Sequence, residues 1–175
     1  MSEAVATGAR SPLLLPPAAA VRLIALLLPL ALLAGAFGSQ YLGGLYPCEM
    51  CWWQRYAHIA ALAIAALAFT APAASSRARA FTLLAALAIA VSGGIGVYHA
   101  GVEAKIFQGF TTCTATVHAG ASTADLLKEI THAPLVRCDE VQWSFLGISM
   151  AGWNAIISLS GAATIIFLLV KAARR

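Results

Sequence analysis

Residues 80–102 read AFTLLAALAIAVSGGIGVYHAGV, with no charged side chain between Arg79 and Glu103. A run of about 20 such residues, wound as a helix, crosses a hydrocarbon core of about 30 Å. Three more uncharged intervals of this kind follow from the spacing of Lys, Arg, Asp and Glu, at 23–48, 56–76 and 141–170. The pattern predicts four transmembrane helices near 21–42, 53–71, 80–99 and 146–169. They are joined on one side by segments 43–51 and 100–145. The expected fold is therefore all-α, a single integral-membrane four-helix bundle over residues 1–175.

Composition agrees. Apolar residues make up 61% of the 175 residues and charged residues 10%, with a mean hydropathy of +0.83. Soluble domains carry about a quarter charged residues, so a soluble globular enzyme is excluded. The net charge of +4 is not gathered into the basic, water-exposed stripe that nucleic-acid binding requires. No nucleic-acid partner is expected; the lipid bilayer is.

An even number of spans puts both termini on one side. That side holds Arg10, Arg22, Arg77, Arg79, Lys171, Arg174 and Arg175, against Arg55, Lys105, Lys128 and Arg137 on the other. The positive-inside rule then places the termini and the 72–79 linker in the cytoplasm. Arg10, Arg22, the run Leu23–Leu33 and Ala34-Gly35-Ala36 imitate a cleavable signal peptide. The apolar run continues past them through Phe37 and Leu42, which favours a retained first helix. Pro29 should kink it, and Gly35/Ser39, Ala61/Ala65 and Gly93/Gly94 allow close packing.

In the long segment 100–145, Ser122 is a candidate N-cap, Leu126, Leu127 and Ile130 share one face, and Pro134 ends the pattern. This predicts a short amphipathic helix on the membrane interface. A helix that merely caps the bundle fits the pattern equally well.

All four cysteines, Cys48, Cys51, Cys113 and Cys138, fall on the side away from the termini, where disulfides persist. Four cysteines permit three pairings. Cys48-Glu49-Met50-Cys51 is a CxxC, a spacing that closes a small redox-active disulfide beside a helix start, which leaves Cys113 and Cys138 as the second pair. A zinc site would need a second close-spaced knuckle, and c-type haem would need His where Trp52 stands, so no metal is expected. Two purely structural disulfides remain as an alternative. Arg55 bears on this choice: on a helix it lies one turn from Cys51 on the same face, and an intramembrane arginine is costly. It either snorkels to the interface or stabilises a Cys51 thiolate or an anionic acceptor. His58 continues the same stripe, where a packing role is the simpler reading.

Pro47-Cys48-x-x-Cys51-x-x-x-Arg55, then Tyr98-His99-x-Gly101-Val102-Glu103, Cys113, Cys138-Asp139-Glu140-x-Gln142-Trp143-x-x-x-Gly147, and Trp153-Asn154 in the last span together resemble the disulfide bond formation protein B (DsbB) family over about residues 20–170. The related vitamin K epoxide reductase family has its loop cysteines before its CxxC, the reverse order. Two features depart from the family pattern: Gln54 stands where a glutamate often precedes the arginine, and the interval around Cys113 has its own sequence.

The resemblance implies a bacterial inner-membrane oxidoreductase whose far-side loops are periplasmic. It would reoxidise a periplasmic thioredoxin-fold oxidase, DsbA, and pass electrons to the membrane quinone pool, with ubiquinone the expected quinone. By the same resemblance a DsbA thiolate attacks the Cys113–Cys138 disulfide at Cys113. Either a second DsbA thiol resolves the complex or Cys138 engages Cys48. Cys51 donates to quinone beside Arg55, with His99 near the ring; a plain interfacial histidine fits His99 equally well, and Glu103 and Trp143 read as packing or interface residues. The reading from another class is a non-catalytic membrane docking module braced by structural disulfides.

Overall fold

The computed structural model describes residues 17–109, 122–124, 127 and 136–174. Its described helices are α1 (Pro17–Tyr41), α2 (Glu49–Leu67), α3 (Ser76–Glu103) and α4 (Met150–Ala173), with a 3-10 turn at Ala68–Thr70 extending α2. Three of them, α1, α3 and α4, are long and apolar enough to cross a membrane. The first half of α2 carries Glu49, Gln54, Arg55 and His58, which lowers its hydropathy, and it packs between α1 and α3. The expected interfacial helix lies largely outside the described residues: Thr123, Ala124 and Leu127 are helical, whereas Asp125, Leu126, Ile130 and Pro134 are not described.

Local chemistry sets the helix ends. Ser75 Oγ accepts from the Ala78 amide at 3.1 Å, so α3 starts at Ser76, one turn before the expected span. The last helix starts later than the sequence suggests. Ser144–Phe145 and Ile148–Ser149 pair as a small antiparallel hairpin, turned through Leu146 (φ 53°) and Gly147 (φ 76°). Two successive positive φ values make the primed turn that suits a two-residue hairpin. Ser149 Oγ then caps α4 by accepting from the Gly152 amide at 3.1 Å.

Lipid tails are as apolar as leucine, so the helices are held by close packing and side-chain hydrogen bonds, not by a hydrophobic drive. The core is accordingly built from small residues: Ala25, Ala61, Ala65, Ala85, Ala86 and Ala162 surround Ile89 and Ile165. The α3–α4 contact is the most extensive in the bundle. There a Cβ on Gly96 would lie 3.0 Å from Ala151 O and 3.1 Å from both the Ala155 amide nitrogen and Asn154 Nδ2. At the end remote from the cysteines, Arg22 donates to Ala68 O and Ala71 O at 2.9 and 3.0 Å and lies over the Phe69 ring. It thereby tethers the start of α1 to the C-terminal end of α2, where a cation is favoured by the helix dipole.

Candidate functional site

The turn between α1 and α2 delivers the CxxC. Gly44 takes a left-handed φ of 67°, which glycine adopts without steric cost, and the chain returns through Pro47 to α2. Cys48 is the N-cap of α2, and its sulfur accepts from the Cys51 amide at 3.4 Å. A helix N-terminus favours negative charge, so this placement lowers the cost of a thiolate.

Three of the four cysteines converge. Cys48 Sγ donates to Cys51 Sγ across 3.0 Å. Cys48 Sγ, Cys138 Sγ and a ring nitrogen of His99 lie within 4.8 Å of one another. Cys48 and Cys138 are buried together with Met50 and Val102. Cys113 lies outside the described residues. The segment bearing Cys138 is pinned to the end of α3: Lys105 Nζ donates to the Asp139 carboxylate and carbonyl at 2.6 Å, and Arg137 to the same carboxylate at 2.8 and 2.9 Å.

The CxxC sulfurs precede the apolar stretch of α2 and differ in proton affinity. The Cys48 thiol, hydrogen-bonded to Cys138 and Cys51 and buried, is pushed well above the ordinary thiol range. The Cys51 thiol is lowered, first by the hydrogen bond from Cys48 and also by the Arg55 charge. The shared proton is therefore held more tightly by Cys48 than by Cys51.

Arg55 is 5% exposed, with its guanidinium held inside the bundle. Its NH2 donates to Ala36 O at 2.9 Å, its NH1 bonds Gln40 Oε1, and its guanidinium lies 4.9 Å from the Phe37 ring centroid and 5.1 Å from that of Trp52. A buried cation is thus held by the C-terminal end of α1 and by two aromatic faces.

Cys51, Arg55 and His58 share a cavity of about 660 Å³ that extends between α1 and α4, with Leu32 on one flank and Ile157 on the other. The apolar flanks and the cationic end suit a flat, weakly polar ring that becomes anionic on reduction. His99 borders the same cavity, yet its Nε2 faces Cys48 Sγ at 3.5 Å and Glu103 Oε1 at 3.9 Å. It lines the cavity alongside Cys48 and Cys51.

Some of the site could not be assigned from sequence. Glu103, read as packing, bonds Ser149 and approaches His99. Gln54, Ser92, Asn154 and Ser158 form a buried polar seam with His58 between α2, α3 and α4. The available signal was the Gln54/His58 and Asn154/Ser158 spacing of polar residues four apart in apolar helices, since intramembrane polar side chains mark function by default. His58 is not a fully satisfied packing residue: its Nδ1 is buried with no hydrogen-bond partner among the described residues.

A helical membrane bundle with a buried dithiol beside a third cysteine and a buried arginine defines a membrane thiol–disulfide oxidoreductase. The family model described as Disulfide bond formation protein DsbB matches residues 18–168, and the chain belongs to that family. It is 29% identical over 133 residues to Disulfide bond formation protein B of Marinobacter nauticus, covering 71% of this chain and 76% of that protein. Identity to the protein of the same description from Xanthomonas oryzae pv. oryzae (strain MAFF 311018) is 32% over 130 residues, 71% of this chain and 74% of the relative. With that of Acidovorax sp. (strain JS42) it is 30% over 164 residues, 87% and 89%. No solved structure matches the chain. A docking module braced by structural disulfides is not favoured.

Proposed function

We propose that the chain is a four-span inner-membrane protein that reoxidises a periplasmic DsbA-type oxidase and transfers the electrons to membrane quinone, ubiquinone by expectation. In this reading the termini are cytoplasmic and the cysteines periplasmic. The observation that carries it is the position of Cys48, which touches Cys51 on one side and Cys138 on the other.

The exchange balances without an added reductant. A DsbA thiolate attacks Cys113, forming a mixed disulfide and releasing Cys138 as a thiolate. Cys138 attacks Cys48, forming the Cys48–Cys138 bond and releasing Cys51 as a thiolate. The second DsbA thiolate breaks the mixed disulfide, so oxidised DsbA departs and Cys113 is freed. Cys113 then closes on Cys138 and releases Cys48. Two electrons now reside on Cys48 and Cys51.

A quinone in the cavity would accept those two electrons with two protons. Arg55 favours both the Cys51 thiolate and negative charge on the reduced ring, the preorganised electrostatic effect that is strongest where water is excluded. The flanks from α1 and α4 keep water from the reacting sulfur.

The test is to supply purified protein with a reduced thioredoxin-fold dithiol and follow quinone reduction by absorbance. Continuous turnover of both is expected. Exchange of disulfides without quinone reduction would overturn the acceptor, and no exchange at all would overturn the reading.

A further inference from the structure

The amide of Gln54 lies at the centre of the polar seam, and the donor and acceptor inventory of its neighbours leaves only one orientation. Its Nε2 is 3.1 Å from Met50 O, a carbonyl that can only accept, so the amide nitrogen points there. The same Nε2 is 2.9 Å from His99 Nδ1. Its oxygen accepts from Asn154 Nδ2 at 2.7 Å, and Asn154 Nδ2 is fixed in turn by Ser92 O at 3.2 Å. Flipping either amide would set an oxygen against a backbone carbonyl. Two carbonyls on two helices therefore hold both amides in register.

This determines the state of His99. Because Gln54 donates into Nδ1, that nitrogen must be bare, and the single proton of the neutral ring sits on Nε2. That N–H faces Cys48 Sγ at 3.5 Å. Among the described residues, the titratable groups placed against the ring are Cys48 from the start of α2, Cys138 from the loop and Glu103 from α3.

We propose that Gln54 is a positioning residue that locks His99 as its Nε2–H tautomer, so that His99 serves as a fixed hydrogen-bond donor to the Cys48 sulfur and not as a base. This rests on the exchange scheme above, in which Cys48 departs as a thiolate when Cys113 closes on Cys138. A hydrogen bond from a neutral N–H stabilises that charge without moving a proton. A glutamate at position 54 would reverse the roles. Its carboxylate can only accept, which draws the ring proton to Nδ1 and leaves Nε2 bare to take a proton from Cys48. The same tautomer withholds the Nε2 lone pair from a metal ion, although Cys48, His99 and Cys138 are close enough to hold one.

The experiment is ¹⁵N NMR of the reduced full-length protein in nanodiscs, with labelled histidine and His99 assigned by loss of its signals in His99→Gln. The four histidines of the chain keep the spectrum tractable. The Nε2–H pattern is expected for His99 at neutral pH, inverted to Nδ1–H in Gln54→Glu. In parallel, His99→Phe should slow Cys48 release about ten- to a hundredfold, the range for a hydrogen bond to a charged group. Gln54→Glu, with His99 intact, should retain exchange but give it a new dependence on pH. An Nδ1–H ring in the unmodified protein, or a tautomer indifferent to Gln54→Glu, overturns the proposal. Quinone turnover separates the two readings: a wrong tautomer with normal turnover refutes only this inference, while a correct tautomer without turnover refutes the function.

Discussion

Replacing Arg55 by Met should leave the bundle nearly as stable and yet disable electron transfer, because the two consequences draw on different terms. The variant loses the bonds to Ala36 O and Gln40 and the contacts with Phe37 and Trp52. Side-chain hydrogen bonds within membranes average only about 0.6 kcal/mol, and each cation–π contact adds about 0.5–1 kcal/mol. Against this, removing the charge relieves an insertion cost of about 2.5–3.5 kcal/mol. The two sides nearly cancel, so thermal unfolding should stay close to wild type. The charge aimed at the developing anion has no such offset: loss of one preorganised donor costs about 10²–10³ in kcat. Arg55→Lys should fall between, since it keeps the charge but not the planar fork that reaches Ala36 and Gln40 together. Quinone reduction and DsbA oxidation should be measured separately, with the apparent KM for quinone. Exchange between the cysteine pairs should survive in both variants, as neither reacting sulfur is touched. Unchanged quinone kinetics in Arg55→Met would remove the arginine from the mechanism.

Cys138→Ala should trap a mixed disulfide between DsbA and Cys113, visible by non-reducing electrophoresis; trapping at Cys48 instead would reverse the proposed order. In intact reduced cells a membrane-impermeant maleimide should label the cysteines without opening the inner membrane, and labelling only after lysis would invert the topology. The Asp139 carboxyl is held well below the usual carboxylate range by hydrogen bonds from Arg137 and Lys105. With the folded value depressed, this anchorage is fully present above the unfolded value of about 3.9 and is lost as pH falls through the folded one. Asp139 should therefore titrate by ¹³C NMR below the other carboxyls, and Asp139→Asn should expose Cys138 to alkylators; an ordinary titration would dismiss the anchor.

The fold was legible because charge is so sparse: Arg22, Glu49, Arg55, Arg77, Glu103, Glu140 and Lys171 bracket the helices almost by themselves. The hairpin at 144–149 was not, since Phe145, Leu146 and Ile148 are as apolar as a span and only Gly147 hinted at a turn. Cys48, Cys51 and Arg55 were readable from local spacing. The approach of Cys138 to Cys48 followed only from the family resemblance, and its anchor did not, because Lys105 and Asp139 are far apart in sequence. The contacts of Asn154 and Ser92 escaped for a similar reason, as a polar side chain in a span acquires meaning only from what stands opposite it.

Gly96 has no side chain to offer, but it sets a mechanical tolerance. A methyl group there would press on Asn154 Nδ2 and on the backbone of α4 at Ala151 and Ala155, and α4 can yield only by backing away from α3. Asn154 would then be drawn off Gln54, whose grip on the His99 ring depends on that contact. A change at Gly96 judged by folding would look like a minor misfit. Judged by sulfur chemistry it would be a fault three linkages downstream, so the clearance between two helices belongs to the working parts of the molecule as much as the cysteines do.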